Sequence, residues 1–247
     1  MRIIKMLTVY LLILSICVFC SKAKAETQTK KFVTALTNSE IEEGFTLLFD
    51  GNTTNGWRGY NKEIFPEKGW EIDNGALRCI ANGKGGDIIT EKEYGNFELK
   101  LEWKIAKGGN SGIFYRGKES KKDGIWKSAP EMQVLDNENH ADAKKGRDGN
   151  RKAGTAYDLI PAVPQNARPY GEWNTVKIIC RDTHIEHWMN EKKVLEYNTE
   201  SDKWKKLVKN SKFAPYPEFG QIRKGHIALQ DHGNDVWYRN IKIKVLK

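Results

Sequence analysis

The sequence predicts an all-β fold, an antiparallel β-sandwich, and three observations carry the prediction. Short apolar or alternating runs recur from Phe45 onward, turn residues separate them, and helical periodicity is nearly absent. In order the runs are FTLLF, GWEID, ALRCI, DIIT, NFELKLEWKI, GIFYR, EMQVL, NTVKIIC, HIEHWMN, KVLEY, GHIALQ and VWYRNIKIKVL. The alternation is clearest in NFELKLEWKI. Phe97, Leu99, Leu101, Trp103 and Ile105 share one face, opposite Glu98, Lys100, Glu102 and Lys104. Near the end of the chain Ile241, Ile243 and Val245 alternate with Lys242 and Lys244. Asp73-Asn74-Gly75 and Gly108-Gly109-Asn110 are turn signals between strands. Two segments depart from this texture. Ser201–Ser211 reads as a short basic helix, and residues 136–171 form a polar, Gly/Pro-rich stretch long enough to imply a functional loop.

The N-terminus reads as an export signal. Arg2 and Lys5 precede an almost wholly apolar run from Met6 to Cys20, and Ala23-x-Ala25 offers a cleavage site before Glu26. The run is shorter than the ~20 residues of a membrane span, and no other stretch suits one. Lipid attachment at Cys17 or Cys20 is the weaker reading, because bulky Ile16 or Phe19 stands where a small residue is expected. The expected organisation is a signal peptide over 1–25, a polar spacer with a helical turn over 26–44, and one strand-rich domain over 45–247. The expected location is periplasmic or secreted, with no membrane span once the signal is removed. Cys79 and Cys180 then remain, either paired or as two buried thiols.

Composition excludes some functions. Of the formal charge of +9, four positive charges (Arg2, Lys5, Lys22, Lys24) leave with the signal, which takes the balance to +5. The remaining lysines are scattered among acids, as in SDKWKKLVKNSK, and form no nucleic-acid footprint. GKGGD at 83–87 lacks the spacing of a phosphate-binding loop. The eight tryptophans are more informative, since indole faces stack on sugar rings. Trp103 belongs to a core stripe, whereas Trp188 and Trp237 fit core or surface equally well.

The richest polar constellation is Glu131-Met132-Gln133-Val134-Leu135-Asp136. In a strand Glu131 and Gln133 share a face and Met132 and Val134 take the other, the pattern of a strand lining a cleft. Asp136 joins the pair only if the end of the strand turns it. Asn110 and Ser111 mark a tight turn ahead of Ile113 and Tyr115, which lie opposite Phe114 and Arg116. Gln230 and His232 share a face in ALQDHG, and His187 sits in an alternating run. Asp136, Glu138, His140 and Asp142 make an oxygen-rich loop that would suit a divalent ion such as Ca²⁺, although a solvated loop is the simpler reading.

The strings LFDGNTTNGW (48–57), GGNSGIFYRG (108–117), EMQVLDN (131–137), AGTAYDLIPA (153–162), GEWNTVKI (171–178), IEHWMNEKKVLEY (185–197) and GHIALQDHGNDVWYRNIKI (225–243) resemble the 3-keto-disaccharide hydrolase domain family. Its members are also described as 3-keto-glucoside 1,2-lyase and 3-keto-2-hydroxy-glucal hydratase domains. The resemblance implies a concanavalin A-like jelly roll of two curved antiparallel sheets with one or two short helices and a carbohydrate cleft. One departure is MNEKK at 189–193, where Glu191 stands in a hairpin turn that family members commonly build from Asn-Gly. Glucanases sharing the fold use E-x-D-x-E or E-x-D-x-x-E. This chain has E-x-Q-x-x-D, and Gln133 cannot serve as a second ionisable group.

The chemistry implied is elimination from a 3-keto-glycoside. The C3 ketone acidifies the C2 proton, the aglycone leaves, and water adds to the glucal to complete a net hydrolysis. A base, an oxyanion holder and an acid suffice. Glu131 or His232 is assigned as base, Arg116 with Gln133 as oxyanion holder, and His187 or Tyr157 as proton donor. Asn110, Gln133, Asp136, Gln230 and Trp188 are assigned to substrate binding. No redox cofactor is required in this chain, because an upstream sugar 3-oxidoreductase would install the ketone. A non-catalytic carbohydrate-binding module and a conventional endo-glucanase are the competing readings.

Overall fold

The structure is a computed structural model that describes residues 34–247. The expected signal peptide (1–25), including Cys17 and Cys20, and the spacer residues 26–33 lie outside the described residues. A short helix α1 (Asn38–Glu42) comes first, started by a capping box in which Thr37 and Glu40 satisfy each other's backbone N–H groups. The strands that follow are β1 (Thr46–Leu47), β2 (Trp57–Gly59), β3 (Trp70–Asp73), β4 (Ala76–Cys79), β5 (Ile88–Thr90), β6 (Phe97–Ile105), β7 (Asn110–Gly117), β8 (Glu131–Leu135), β9 (Asn174–Arg181), β10 (His184–Met189), β11 (Lys192–Asn198), β12 (His226–Leu229) and β13 (Val236–Val245). Helix α2 (Asp202–Lys209) follows β11, with Ser201 as N-cap accepting from the Trp204 N–H.

These strands form two antiparallel sheets, a jelly-roll β-sandwich. The larger runs β11-β10-β9-β6-β13-β4-β3, with β1 pairing to β13, and the smaller runs β2-β5-β12-β7-β8. The alternation in Phe97–Ile105 sets the position of β6. Its odd-numbered residues are all buried and its even-numbered ones half-buried, as a strand with one covered face requires. Trp103 is in this core. The larger sheet contributes Leu77, Phe97, Leu99, Ile178, Ile185 and Tyr238 to the space between the sheets, and the smaller contributes Ile113, Tyr115, Met132, Val134, Ile227 and Leu229. Each such fully buried side chain is worth about 1.5–3 kcal/mol of transfer free energy. No helix among the described residues is long and apolar enough to cross a membrane.

Cys79 and Cys180 are free and buried. They lie on β4 and β9, which β13 and β6 separate in the sheet. Three strand spacings of ~4.8 Å put them beyond the reach of a disulfide.

The smaller sheet has a second face. Because Ile113, Tyr115, Met132 and Val134 point into the sandwich, Asn110, Gly112, Phe114, Glu131 and Gln133 point away from it. Phe114 and Ala228 pack there against Ile89, Ile125 and Ala129, with Trp126 over them. The loop between β7 and β8, the segment after β8 and the segment after α2 cover this outer face and make it a pocket.

Candidate active site

The pocket has a volume of about 280 Å³ and is lined by Asn110, Trp126, Glu131, Gln133, Tyr157, Lys212, Phe213, Gln230 and His232. Strand register builds its floor. Gly112 pairs with Gln133 across β7 and β8, and the Gln230 N–H donates to the Gly112 carbonyl at 3.0 Å. Glu131 leans over Gly112, so its carboxyl group lies on the floor of the pocket. A Cβ on Gly112 would fall 2.2 Å from Glu131 Oε1, and only glycine leaves that space. The Gln133 amide donates to Glu131 Oε1 at 3.0 Å and to the Ser111 carbonyl at 2.8 Å. Ser111 anchors the floor from within the sandwich, donating to the Gln230 carbonyl at 2.6 Å and accepting from the Tyr238 hydroxyl at 2.7 Å.

Glu131 is only 8% exposed. Burial pushes its pKa up to about 8, against the pull of the Lys212 charge, and the negative charges of Asp87 and Asp142 push the same way as burial. Lys212 is itself held below the usual lysine range, mainly by desolvation. Its Nζ lies 4.2 Å from the centre of the Tyr157 ring. Asp87, half-buried beside β5, accepts from the Asp231 N–H at 2.9 Å, and burial raises its carboxyl to about 6. The pocket therefore holds one acid whose charged form is poorly solvated, Glu131, together with one cation in its lining, Lys212.

The rest of the pocket is a held wall. Tyr157 donates its hydroxyl to Asp142 Oδ2 at 2.8 Å, and Arg151 bridges Asp142 Oδ1 at 3.0 Å and Asp158 Oδ1 at 2.6 Å. His232 places Nε2 3.4 Å from Asn110 Nδ2, and the His140 ring meets its ring edge-on at 6.4 Å between centroids. Trp126, Phe213 and the Tyr157 ring supply the apolar walls.

Of the residues expected from sequence, Glu131, Gln133, Asn110, Gln230, His232 and Tyr157 come together here. Four do not. Arg116 sits where β7 bulges, at φ 52°, and is spent on structure: it donates to the carbonyls of Gly95 and Asp182 and to Asn96 Oδ1. His187 faces the sandwich interior from β10, the face opposite to Trp188. Its Nδ1–H donates to the Gly154 carbonyl at 3.0 Å and its Nε2 accepts from the Tyr115 hydroxyl at 2.8 Å. Burial lowers its pKa to about 4, so it is a neutral core histidine. Trp188 stands on the outer face of the larger sheet, where its indole N–H donates to Glu186 at 2.6 Å and Lys177 covers the ring at 4.0 Å. Asp136 ends β8. Burial alone would raise its carboxyl, but the Gly108, Glu138 and Asn139 donors outweigh it and hold the group below the usual range. It clamps two turns instead of facing the pocket.

Lys212, Trp126 and Phe213 were missed. Lys212 and Phe213 belong to the basic stretch around α2, which read as solvated surface, and nothing in the local pattern sets Lys212 apart from its neighbours. Only tertiary folding shows it. The oxygen-rich loop does not converge as a cation site, because the Asp136 and Asp142 oxygens are taken by N–H groups, Tyr157 and Arg151. Among the described residues, ligating atoms converge at His184, Glu186 and Glu196 on the outer face of the larger sheet, where Trp188 and Lys193 already bind the two carboxylates.

A jelly roll with aromatic walls, amides and a buried carboxyl group in one small pocket is the frame of a carbohydrate-active protein, and the comparisons make it a glycoside-cleaving enzyme. Residues 44–244 match the model of the 3-keto-alpha-glucoside-1,2-lyase-like domain, and the chain belongs to that family. It is 46% identical over 230 residues to a 3-keto-disaccharide hydrolase of Bacteroides thetaiotaomicron, covering 83% of this chain and 79% of the relative. A crystal structure of a glycosyl hydrolase from Parabacteroides distasonis superposes with a TM-score of 0.78 at 32% identity, covering 87% of this chain and 99% of that one. A second from the same organism gives 0.62 at 30% identity, with coverage of 82% and 99%.

Proposed function

We propose that this chain cleaves 3-keto-glycosides by elimination across C1–C2, followed by hydration. The observation that carries the reading is Glu131, a buried carboxyl group raised to about 8 and facing the half-desolvated cation Lys212. A carboxylate that is hard to keep ionised is a stronger base than an exposed one, which suits removal of a carbon-bound proton. A cation close by suits the oxygen on which negative charge then develops.

In this mechanism the Glu131 carboxylate takes the C2 proton. The electron pair of the C2–H bond forms the enolate, with its charge on the C3 oxygen next to Lys212. The pair returns to form the C1–C2 double bond as the C1–O bond breaks, and its electrons go to the aglycone oxygen. Glu131, now carrying the C2 proton, passes it to the aglycone oxygen, since the Tyr157 hydroxyl is committed to Asp142. Glu131, ionised again, takes one proton from a water whose hydroxyl adds to C1, C2 recovers that proton from Glu131, and net hydrolysis results. Lys212 takes the oxyanion role assigned from sequence to Arg116. The pocket volume is close to the lower end of small-ligand sites at ~300 Å³, so one sugar ring is enclosed and the aglycone extends outward.

The absence of a second carboxyl group at Gln133 supports elimination over two-carboxylate displacement. The name of the Bacteroides relative supports the keto-sugar class. Export to the periplasm or beyond is supported by the basic start, apolar run and Ala23-x-Ala25 of the N-terminus. The test is aglycone release by the purified protein from matched 3-keto and ordinary glucosides. Release from the keto form alone is expected, and equal release from both contradicts the reading.

A further inference from the structure

Six buried side-chain nitrogen and oxygen atoms among the described residues have no hydrogen-bond partner. Two of them, Asn110 Oδ1 and Gln230 Oε1, belong to residues of the one pocket, and both are acceptors. Asn110 is 5% exposed. Buried polar atoms are nearly always paired, so an unpaired one on a residue that lines a pocket is a group that a ligand can complete. The backbone of each residue is fixed independently of its side chain. The Asn110 N–H donates to Asn234 Oδ1 at 3.1 Å, and Gln230 is held by Gly112 and Ser111. The Asn110 amide is oriented by His232, towards which its Nδ2 points.

The pocket therefore has two chemically different ends about Glu131. Lys212 is a donor with no acceptor capacity, and Asn110 Oδ1 with Gln230 Oε1 is an acceptor pair. A ketone oxygen has no proton and would leave both amide oxygens unsatisfied, whereas sugar hydroxyls would satisfy them. We propose that Asn110 and Gln230 form a hydroxyl-binding subsite that takes the C4 and C6 hydroxyls of the keto ring. It fixes which way round the ring lies, with the ketone at Lys212 and C2 over Glu131. The assignment of ring positions rests on the elimination mechanism proposed above; the donor requirement of the subsite does not.

The experiment is an NMR titration of the intact protein with methyl glucoside and with its 4,6-dideoxy-4,6-difluoro analogue, which keeps the ring and its size but has no donor at those carbons. Neither probe carries a ketone, so the readout is independent of catalysis. The analogue is expected to bind at least about tenfold more weakly, about 1.4 kcal/mol. In the Asn110→Ala, Gln230→Ala double variant the difference shrinks to about twofold or less. Gln230→Ala alone serves if the double variant does not fold. Equal binding of the two probes, no saturable binding of either, or a difference that persists undiminished in the variants overturns the inference. Aglycone release from a 3-keto-glucoside is assayed in parallel. Discrimination without release leaves the subsite standing and removes the elimination reading, and release without discrimination does the reverse.

Discussion

The carboxyl group of Glu131 lies over Gly112 so closely that a methyl group on Gly112 would meet Oε1 at 2.2 Å and Cδ at 2.7 Å. The backbone at Gly112 is ordinary strand, and the obstacle is the end of a flexible side chain, so alanine would displace Glu131 and not the strand. Gly112→Ala is expected to leave the far-ultraviolet spectrum unchanged and to lower kcat for a 3-keto-glycoside by about 10²-fold, the scale of a ~1 Å misplacement. Full activity in that variant would show that the position of Glu131 is not critical.

The pH profile follows from burial. The base is the ionised form of Glu131, so kcat/KM rises with pH towards a plateau above about 8. Lys212 favours that ionised form, and Lys212→Met moves the ascending limb to higher pH in addition to lowering the rate. Folding shows the opposite sign. A carboxyl group raised from 4.5 to about 8 favours the folded state below 4.5, and that contribution is lost as pH rises through 8. Denaturant melts of wild type and Glu131→Gln across this window measure it, and the variant should lack that decline.

His187 adds an acid limb. Its pKa falls from 6.5 to about 4 on folding, chiefly through burial, so its contribution is complete above 6.5 and is lost as pH falls through 4. The loss is at most about 3 kcal/mol. In His187→Gln the stability change between pH 6.5 and 4 should flatten, even though the variant starts less stable. An unaltered acid limb would mean that the imidazole is not held neutral.

The sequence made most of the fold legible because alternation is a local signal. β6 and β13 are read directly from single-residue periodicity, and Glu131 with Gln133 on one face follows from the same rule. The site was half legible. Arg116 carries the right chemistry on a strand of the pocket, whereas His187 stands on β10 of the other sheet, and which sheet and face a strand joins is decided by tertiary folding. A bulge at Arg116 also redirects that side chain. Lys212 had no local mark at all, since its neighbours on the basic stretch are lysines too.

One local signal in the sequence is complete in itself. Asn190 and Glu191 form the β10–β11 hairpin turn with φ of 47° and 70°, both in the left-handed region where a two-residue turn favours Asn-Gly. A glutamate there costs about 1 kcal/mol. Glu191→Gly should raise Tm by about 2–4 °C in a domain of this size, with activity unchanged because the turn is remote from the pocket. A lower Tm would contradict the strain argument.

The central claim is that C2 of the sugar loses its proton to Glu131 before the aglycone departs. The direct test is a 3-keto-glucoside deuterated at C2, followed by NMR and mass spectrometry over the first turnovers. Loss of the label to solvent in step with aglycone release, with release slowed by the deuterium and both processes abolished in Glu131→Gln, is the predicted result. A product that retains its C2 deuterium, released at the rate of the unlabelled substrate, would contradict the account.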